Sequence, residues 1–315
     1  MFHWDDGLKL TTPDLAIDFQ RRQPRGFISH AHADHMARHQ YALCTPATAA
    51  LYQLRLGRRP TRELPYGEPV EWGGVQLTTY PAGHCLGSAM LLAEDKGQTL
   101  LYSGDFKLRP SLTAEPAELP QADIFILEST YGRPEYRLPD RALVIEQFLE
   151  LIEQTLRRGA VPLVTTYALG KSQEATRLLT DAGFPVVQHG KVYPLSQVYE
   201  QFGVPLGNYR RYRGLVEPGE VVVLPPREGV DVDRPTVRIA LTGWALDDRA
   251  RYRLKVDHAL PLSDHADYDE LLEAVDRVAA KKVFCTHGPE SFVDRLRERG
   301  VEAWPLDRPW QSRLF

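Results

Sequence analysis

Ser29-His30-Ala31-His32-Ala33-Asp34-His35 gathers three imidazoles and a carboxylate within six residues, directly after the apolar segment Gly26-Phe27-Ile28. That order predicts a strand over 26–29 delivering a loop of nitrogen and oxygen ligands of borderline softness. Such ligands suit zinc and similar divalent ions. An ordinary polar surface loop seldom concentrates so many rings and acids, so the loop is read as metal-binding.

Working outward, the 315 residues are enough for one large domain or two ordinary ones with a substantial core. No apolar run approaches the ~18 residues a bilayer span needs. The start, Met1-Phe2-His3-Trp4-Asp5-Asp6, lacks the basic-then-apolar layout of a signal peptide. Cys44, Cys85 and Cys285 are odd in number and scattered, so no disulfide framework is expected and a reducing cytoplasm fits best. Cys85 adjoins His84 but reads as a small buried residue. A formal charge of −4 argues against a broadly basic nucleic-acid binder. Two divalent ions on the ligand carboxylates would cancel that charge, so an anionic substrate is not excluded.

The first part of the chain reads as short strands, among them 75–80, 89–93 and 99–103, with a helix from Thr45-Pro46 to Gly57. A strand over 123–127 delivers Glu128. An amphipathic helix over 138–158 then opens an alternation of strands (161–166, 185–188, 221–224, 237–241) and a helix (about 170–182). This is the texture of a parallel α/β unit. The chain closes with a strand ending near Ser263, a helix over 268–280, a strand over 282–286 and a helix over about 292–299. An α/β insert interrupting a metal-binding scaffold is the simplest account.

Further ligands belong at strand ends, where a rigid scaffold aims them. His84 in Pro81-Ala82-Gly83-His84, Asp105 in Ser103-Gly104-Asp105 and His287 in Thr286-His287-Gly288 each follow a strand. Singly, such residues are more often structural hydrogen-bonders; together with the first loop they complete two metal shells.

With these motifs in view, the sequence resembles the metallo-β-lactamase fold, whose successive motifs are His-x-His-x-Asp-His, a later Gly-His, and a Gly-Asp after a strand. The resemblance implies an αββα sandwich in which His30, His32 and His84 hold one ion and Asp34, His35 and His287 the other, with Asp105 bridging. Asp18, in Leu15-Ala16-Ile17-Asp18, matches the acid that supports the His-rich loop without being a ligand. The cofactor so implied is a pair of divalent ions, Zn²⁺ or else Mn²⁺ or Fe²⁺, which activate a water for hydrolysis.

Glu128-Ser129-Thr130-Tyr131-Gly132, Ser263-Asp264-His265-Ala266-Asp267 and His287-Gly288 resemble motifs A, B and C of the β-CASP group. These are nucleases with a small parallel α/β domain spliced between motifs A and B. The resemblance divides the chain into a discontinuous metallo-β-lactamase domain, 1–130 and 242–315, and a β-CASP insert, 131–241. It makes Asp105, Asp34, Glu128 and His265 the catalytic set, with His265 a general acid for the departing 3′ oxygen and Glu128 holding its ring. Asp5-Asp6-Gly7-Leu8, Leu241-Thr242-Gly243-Trp244-Ala245 and the run from Leu260 to Tyr268 are similar to the bacterial ligase-associated DNA exonucleases. Those are encoded beside an ATP-dependent DNA ligase, a Lhr-type helicase and a metallophosphoesterase.

The expectation is a DNA exonuclease working from the 5′ end, serving DNA repair on DNA that is single-stranded or has a free end, with no membrane partner. His287 weighs toward the alternative, an RNA nuclease, because the DNA-cutting eukaryotic members lack the motif C histidine. A small-ester hydrolase of the same fold is disfavoured by motifs A to C. A non-catalytic scaffold is disfavoured by the complete ligand set. Phosphate contacts are sought at Lys171 and Ser172 on a helix start, at Ser129 and Thr130, and at Arg210, Arg211 and Arg213, where cations and aromatics interleave. Lys107 and Arg109, after Asp105, are further candidates for the cleft.

Overall fold

Short strands whose alternate residues are apolar lay down the first part of the molecule as two stacked sheets. The protein is seen here in a computed structural model that describes residues 1–247 and 249–306. These fall into two compact units: Met1–Pro110, Glu115–Glu135 and the chain from His265 onward form one, and Ser111–Ala114 with Tyr136–Asp264 form the other.

In the first unit, Phe2–Trp4, Leu8–Leu10, Leu15–Ile17, Arg25–Phe27, Tyr41–Cys44 and Thr61–Glu63 pair in chain order as one sheet. The second sheet runs Ala303–Pro305, Lys282–Thr286, Ile124–Glu128, Gln98–Tyr102, Ala89–Asp95, Val75–Pro81, Val70–Trp72. The period of two along each strand divides its side chains between faces. Leu100, Tyr102, Ile124, Ile126 and Phe284 join Leu10, Ile17, Phe27 and Leu43 in the core shared by the sheets. Leu101, Phe125, Leu127 and Val283 face the other way, onto Leu271 and Val275 of the helix Tyr268–Val278 and Phe292 and Leu296 of the helix Glu290–Glu298. Burying each such side chain contributes roughly 1.5–3 kcal/mol. The helix Pro46–Leu56 starts as its sequence predicts, with Thr45 Oγ1 accepting from the Thr48 amide and Pro46 in the first turn. The metallo-β-lactamase αββα fold with an inserted α/β domain is thereby realised.

The second unit is built on a six-stranded parallel sheet in the order Tyr209–Arg211, Val186–Gln188, Val221–Leu224, Val161–Thr165, Thr236–Leu241, His258–Leu260. Its inner strands Val186–Gln188, Val221–Leu224 and Val161–Thr165 are buried throughout, and the latter two read as near-continuous apolar runs. The helices Arg141–Arg157 and Lys171–Asp181 cover one face through Phe148, Ile152, Leu178 and Leu179. The family resemblance ends the insert at 241, whereas this compact unit continues to Asp264. The cause is His258–Leu260, which pairs with Ile239–Leu241 and extends the sheet by a strand. That strand stops at Leu260, short of the expected Ser263.

Candidate metal centre and active site

Strand ends of the first unit converge on one cluster. His30 Nε2 lies 3.0 Å from His32 Nδ1, and His84 Nε2 lies 3.1 Å from the same atom. Asp105 Oδ2 is 3.6 Å from His30 Nε2 and 4.0 Å from His84 Nε2. Nitrogens about 3 Å apart are close to the spacing of neighbouring ligands around an ion bound at ~2.1 Å. Burial and the neighbouring His35, His84 and His32 rings hold His30 well below the ordinary imidazole range. The ring is therefore in the neutral form that donates a lone pair to a metal. The donor set fits a divalent ion.

Beside it, His35 Nε2 sits 3.2 Å from Asp105 Oδ2, and its Nδ1 donates to Asp18 Oδ2 at 2.8 Å. Burial works against a proton on His35, but the Asp105 and Asp18 carboxylates outweigh it and raise the ring well above its usual range. Conversely, His35 and His265 hold Asp105 ionised, well below the usual carboxylate range, against the effect of its burial. Asp34 Oδ2 lies 3.9 Å from His35 Nε2 with its side chain 69% exposed. The His287 ring centroid is 5.8 Å from that of His35. Asp34, His35 and His287 line one cavity of about 400 Å³ with Asp18 and Tyr102. This second group is thus gathered but looser than the first.

Asp18 orients the loop. It accepts from the Ser29 amide at 2.7 Å, the Ser29 hydroxyl at 2.5 Å, His35 Nδ1 and the Tyr102 hydroxyl at 2.8 Å. Ser29 and Tyr102 were not singled out from the sequence. Tyr102 reads as one more aromatic in a strand, and only the fold shows its hydroxyl meeting a residue 84 positions away.

Glu128 ends the strand Ile124–Glu128 and is buried. Its Oε1 accepts from His265 Nδ1 at 3.1 Å and from the Phe106 amide at 3.3 Å, and its Oε2 accepts from the Thr130 amide at 3.1 Å. His265 Nε2 consequently faces Asp105 Oδ2, 4.0 Å away. Asp267, two residues on, caps the helix Tyr268–Val278 by accepting from the Asp269 and Glu270 amides. The cap anchors the turn that carries His265.

Residues 249–307 match the family described as the Zn-dependent metallo-hydrolase RNA specificity domain. Over 99% of its length the chain is 42% identical to part of a probable DNA ligase of Opitutus terrae, of which it covers 32%. Over 86% of its length it is 30% identical to the 5′ exonuclease Apollo of Gallus gallus, of which it covers 61%. The chain belongs to the β-CASP group of the metallo-β-lactamase fold. A 44% stretch of this β-CASP chain is also 37% identical to a ribonuclease of Thermus thermophilus, covering 30% of it. The chain thus spans from 30% to 61% of the length of these relatives. A crystal structure of a protein of unknown function from Enterococcus faecalis V583 shares the fold, with TM-score 0.62 and 15% identity over 89% of this chain and 78% of that one.

The substrate contacts sought in the β-CASP sequence need revision. Lys171 is buried and its Nζ lies 2.7 Å from Asp264 Oδ1, while the Ser172 hydroxyl donates to the Tyr167 carbonyl at 2.7 Å. Both serve the interior of the second unit rather than a phosphate. The Ser129 hydroxyl donates to the Thr286 carbonyl at 3.0 Å and is buried. Thr130 contributes its amide to Glu128. Arg210 grips both oxygens of Glu220 at 2.6 and 2.7 Å. Arg211 ends the edge strand Tyr209–Arg211 and, like Arg213, is exposed. Arg109 pairs with Asp267 at 2.8 Å, and Lys107 is buried. Cys85 is buried, as its sequence context predicts.

Proposed function

We propose that the protein is a metal-dependent DNA exonuclease that hydrolyses phosphodiesters from the 5′ end. The observation that carries this reading is the convergence of four ligand atoms, from His30, His32, His84 and Asp105, within 4.8 Å of one another beside the His265–Glu128 pair. His30, His32 and His84 would hold one ion, Asp34, His35 and His287 a second, with Asp105 shared. Ions so held supply an activated water and charge stabilisation for the phosphodiester. His265 presents Nε2 as the proton donor to the departing 3′ oxygen. Glu128 fixes the ring through Nδ1 and favours its charged form, while the Phe106 and Thr130 amides hold Glu128 in place. Asp18 fixes the tautomer of His35.

DNA as substrate is supported by the probable DNA ligase that contains a stretch similar to this whole chain, and action from the 5′ end by the similarity to the 5′ exonuclease Apollo. The former also supports association with a DNA ligase. An RNA substrate has its own support: the RNA specificity domain match, the ribonuclease relative and His287. Digestion of 5′-labelled and 3′-labelled single-stranded DNA, beside RNA of the same sequence, in Mn²⁺ and in Zn²⁺, separates them. Stepwise shortening of DNA from its 5′ end with RNA spared is expected. Preferred RNA cleavage assigns the enzyme to RNA processing, and no cleavage of either refutes the nuclease reading.

A further inference from the structure

The second unit carries a cavity of about 920 Å³ that the chemistry above does not use. It lies at the carboxyl ends of three parallel strands. Thr165-Thr166-Tyr167 terminates Val161–Thr165, Pro226-Arg227-Glu228 follows Val221–Leu224, and Ala240-Leu241-Thr242 ends Thr236–Leu241. The connections leaving these strands diverge. From Val161–Thr165 the chain passes over Val221–Leu224, by way of the helix Lys171–Asp181, to reach Val186–Gln188. From Val221–Leu224 it passes over Val161–Thr165 in the other direction to reach Thr236–Leu241. Ala175, Leu178 and Leu179 of the helix pack on one face of the sheet, and Val230 and Val232 of the second connection on the other. Diverging crossovers leave a crevice beyond the strand ends, which is where open parallel sheets bind ligands.

The lining names the ligand. Among the described residues, Arg227, Arg238, Arg253 and Lys255 share the lining with a single acid, Glu228. Glu228 is itself engaged by Lys191 at 2.5 Å, and among the four cations Arg253 has a carboxylate, Asp247, at 3.3 Å. Positive charge is therefore in excess. Two aromatic rings share the lining and stay largely accessible, Tyr167 at 55% and Trp244 at 41%. Trp244 stands edge-on to Tyr136, centroids 5.3 Å apart at 87°, which fixes the indole plane. Cations beside fixed, accessible rings match a group with an anionic phosphate and a flat base.

We propose that this crevice is a nucleotide-binding site, stacking a base on Trp244 or Tyr167 and holding its phosphate on Arg227 and Lys255. The nucleotide is either one unit of a nucleic-acid strand or a free mononucleotide. The proposal goes beyond the nuclease reading and does not depend on it.

The test is equilibrium titration of the full chain with a fluorescein-labelled phosphorothioate oligo-dT, which resists hydrolysis, and with dAMP as competitor. Wild type is compared with Trp244→Ala, Arg227→Glu and Arg227→Lys, each checked for an unchanged thermal melt. Trp244→Ala is expected to weaken oligonucleotide binding about tenfold. Arg227→Glu should weaken it at least as much and lower the salt slope by about one, while Arg227→Lys restores most of both. Displacement of the oligonucleotide by dAMP, with the same losses in the variants, identifies a free mononucleotide as an occupant. Failure of dAMP to compete identifies a strand. Oligonucleotide binding that the folded variants leave intact, or no binding of either probe, overturns the proposal. Cleavage is scored separately, so an inactive protein whose binding still depends on Trp244 and Arg227 would refute the nuclease reading alone.

Discussion

Asp18 illustrates how single residues set this site. With four hydrogen bonds on its two oxygens, it fixes the His-rich loop before any metal arrives. Glu128 plays the matching part for His265. Glu128→Gln keeps the shape and an acceptor but removes the charge that favours the imidazolium. The variant should retain its bound metal and lose about 10²-fold in kcat on DNA; wild-type turnover would remove His265 from proton transfer. A different histidine contributes to acid sensitivity. His39 is buried with Nδ1 accepting from the Gln23 amide at 3.1 Å, and desolvation lowers its pKa to about 4. The unfolded chain, with an ordinary histidine pKa near ~6.5, takes up a proton that the native ring refuses. Native stability from this group is thus intact above pH ~6.5 and is lost progressively as pH falls toward about 4, by roughly 3 kcal/mol in all. His39→Asn keeps an acceptor for Gln23 and should flatten that part of the denaturation profile; an unchanged difference between pH 7 and pH 4 would show that His39 is not the cause. The cluster of histidines and aspartates was legible because these residues recur at close spacing after strands. Lys171 and Ser172 misled because a Gly-Lys-Ser helix start looks the same whether its side chains face a phosphate or, as here, Asp264 and the Tyr167 carbonyl.

Among the elements, the paired ends of Ile124–Glu128 and Lys282–Thr286 matter most, since Glu128 lies opposite Thr286 in parallel register. Beyond Thr286 the backbone turns through His287 at φ 59°, and Gly288 passes so close that a Cβ would fall 2.1 Å from the Ser129 carbonyl oxygen. Gly288→Ala must push the two strand ends apart, displacing Glu128 and His287 together. The expected result is a loss of about 2–4 kcal/mol in unfolding free energy and of most activity. Gly229→Ala, where a Cβ meets nothing within 4 Å, should change stability by less than ~0.5 kcal/mol. Equal stability for both variants would show that this strand junction tolerates separation. Elements of this kind were legible where they were long or capped. The helix Tyr268–Val278 was, with its Asp267–Glu270 capping box, as were the buried Val/Leu strands of the second sheet system. Three-residue strands such as Tyr209–Arg211 and His258–Leu260 carry no period to detect. The sheet register that defines them comes from residues far along the chain, so Tyr209–Arg211 read as a cation-aromatic cluster and the insert read as ending at 241.

At the scale of the whole molecule, each unit has its own core, and His30, His32, His35, His84 and Asp105 all belong to the first. In the first unit, His30, His35, His84 and Asp105 are buried in mutual contact. Without a cation these rings and carboxylates must balance charge among themselves in a poorly solvated place, which is unfavourable. Ligand binding to the native state alone adds RT ln(1 + [L]/Kd), about 4 kcal/mol at a thousandfold excess over Kd. For a unit of this size that corresponds to a shift on the order of 10 °C in Tm. The second unit, whose cores Phe148–Leu178–Val223 and Leu163–Val222–Leu224 are built of apolar side chains, is expected to gain little from the ion. Calorimetry of the metal-loaded protein and of protein dialysed against a chelator should therefore show one transition falling and another unmoved, with Zn²⁺ restoring the first. Metal analysis of the loaded protein should give two ions per chain, and Asp105→Ala, lacking the shared carboxylate, should retain fewer. Superimposable melts with and without chelator, in a protein that purifies without divalent metal, would mean that this cluster of histidines is packed for its own sake.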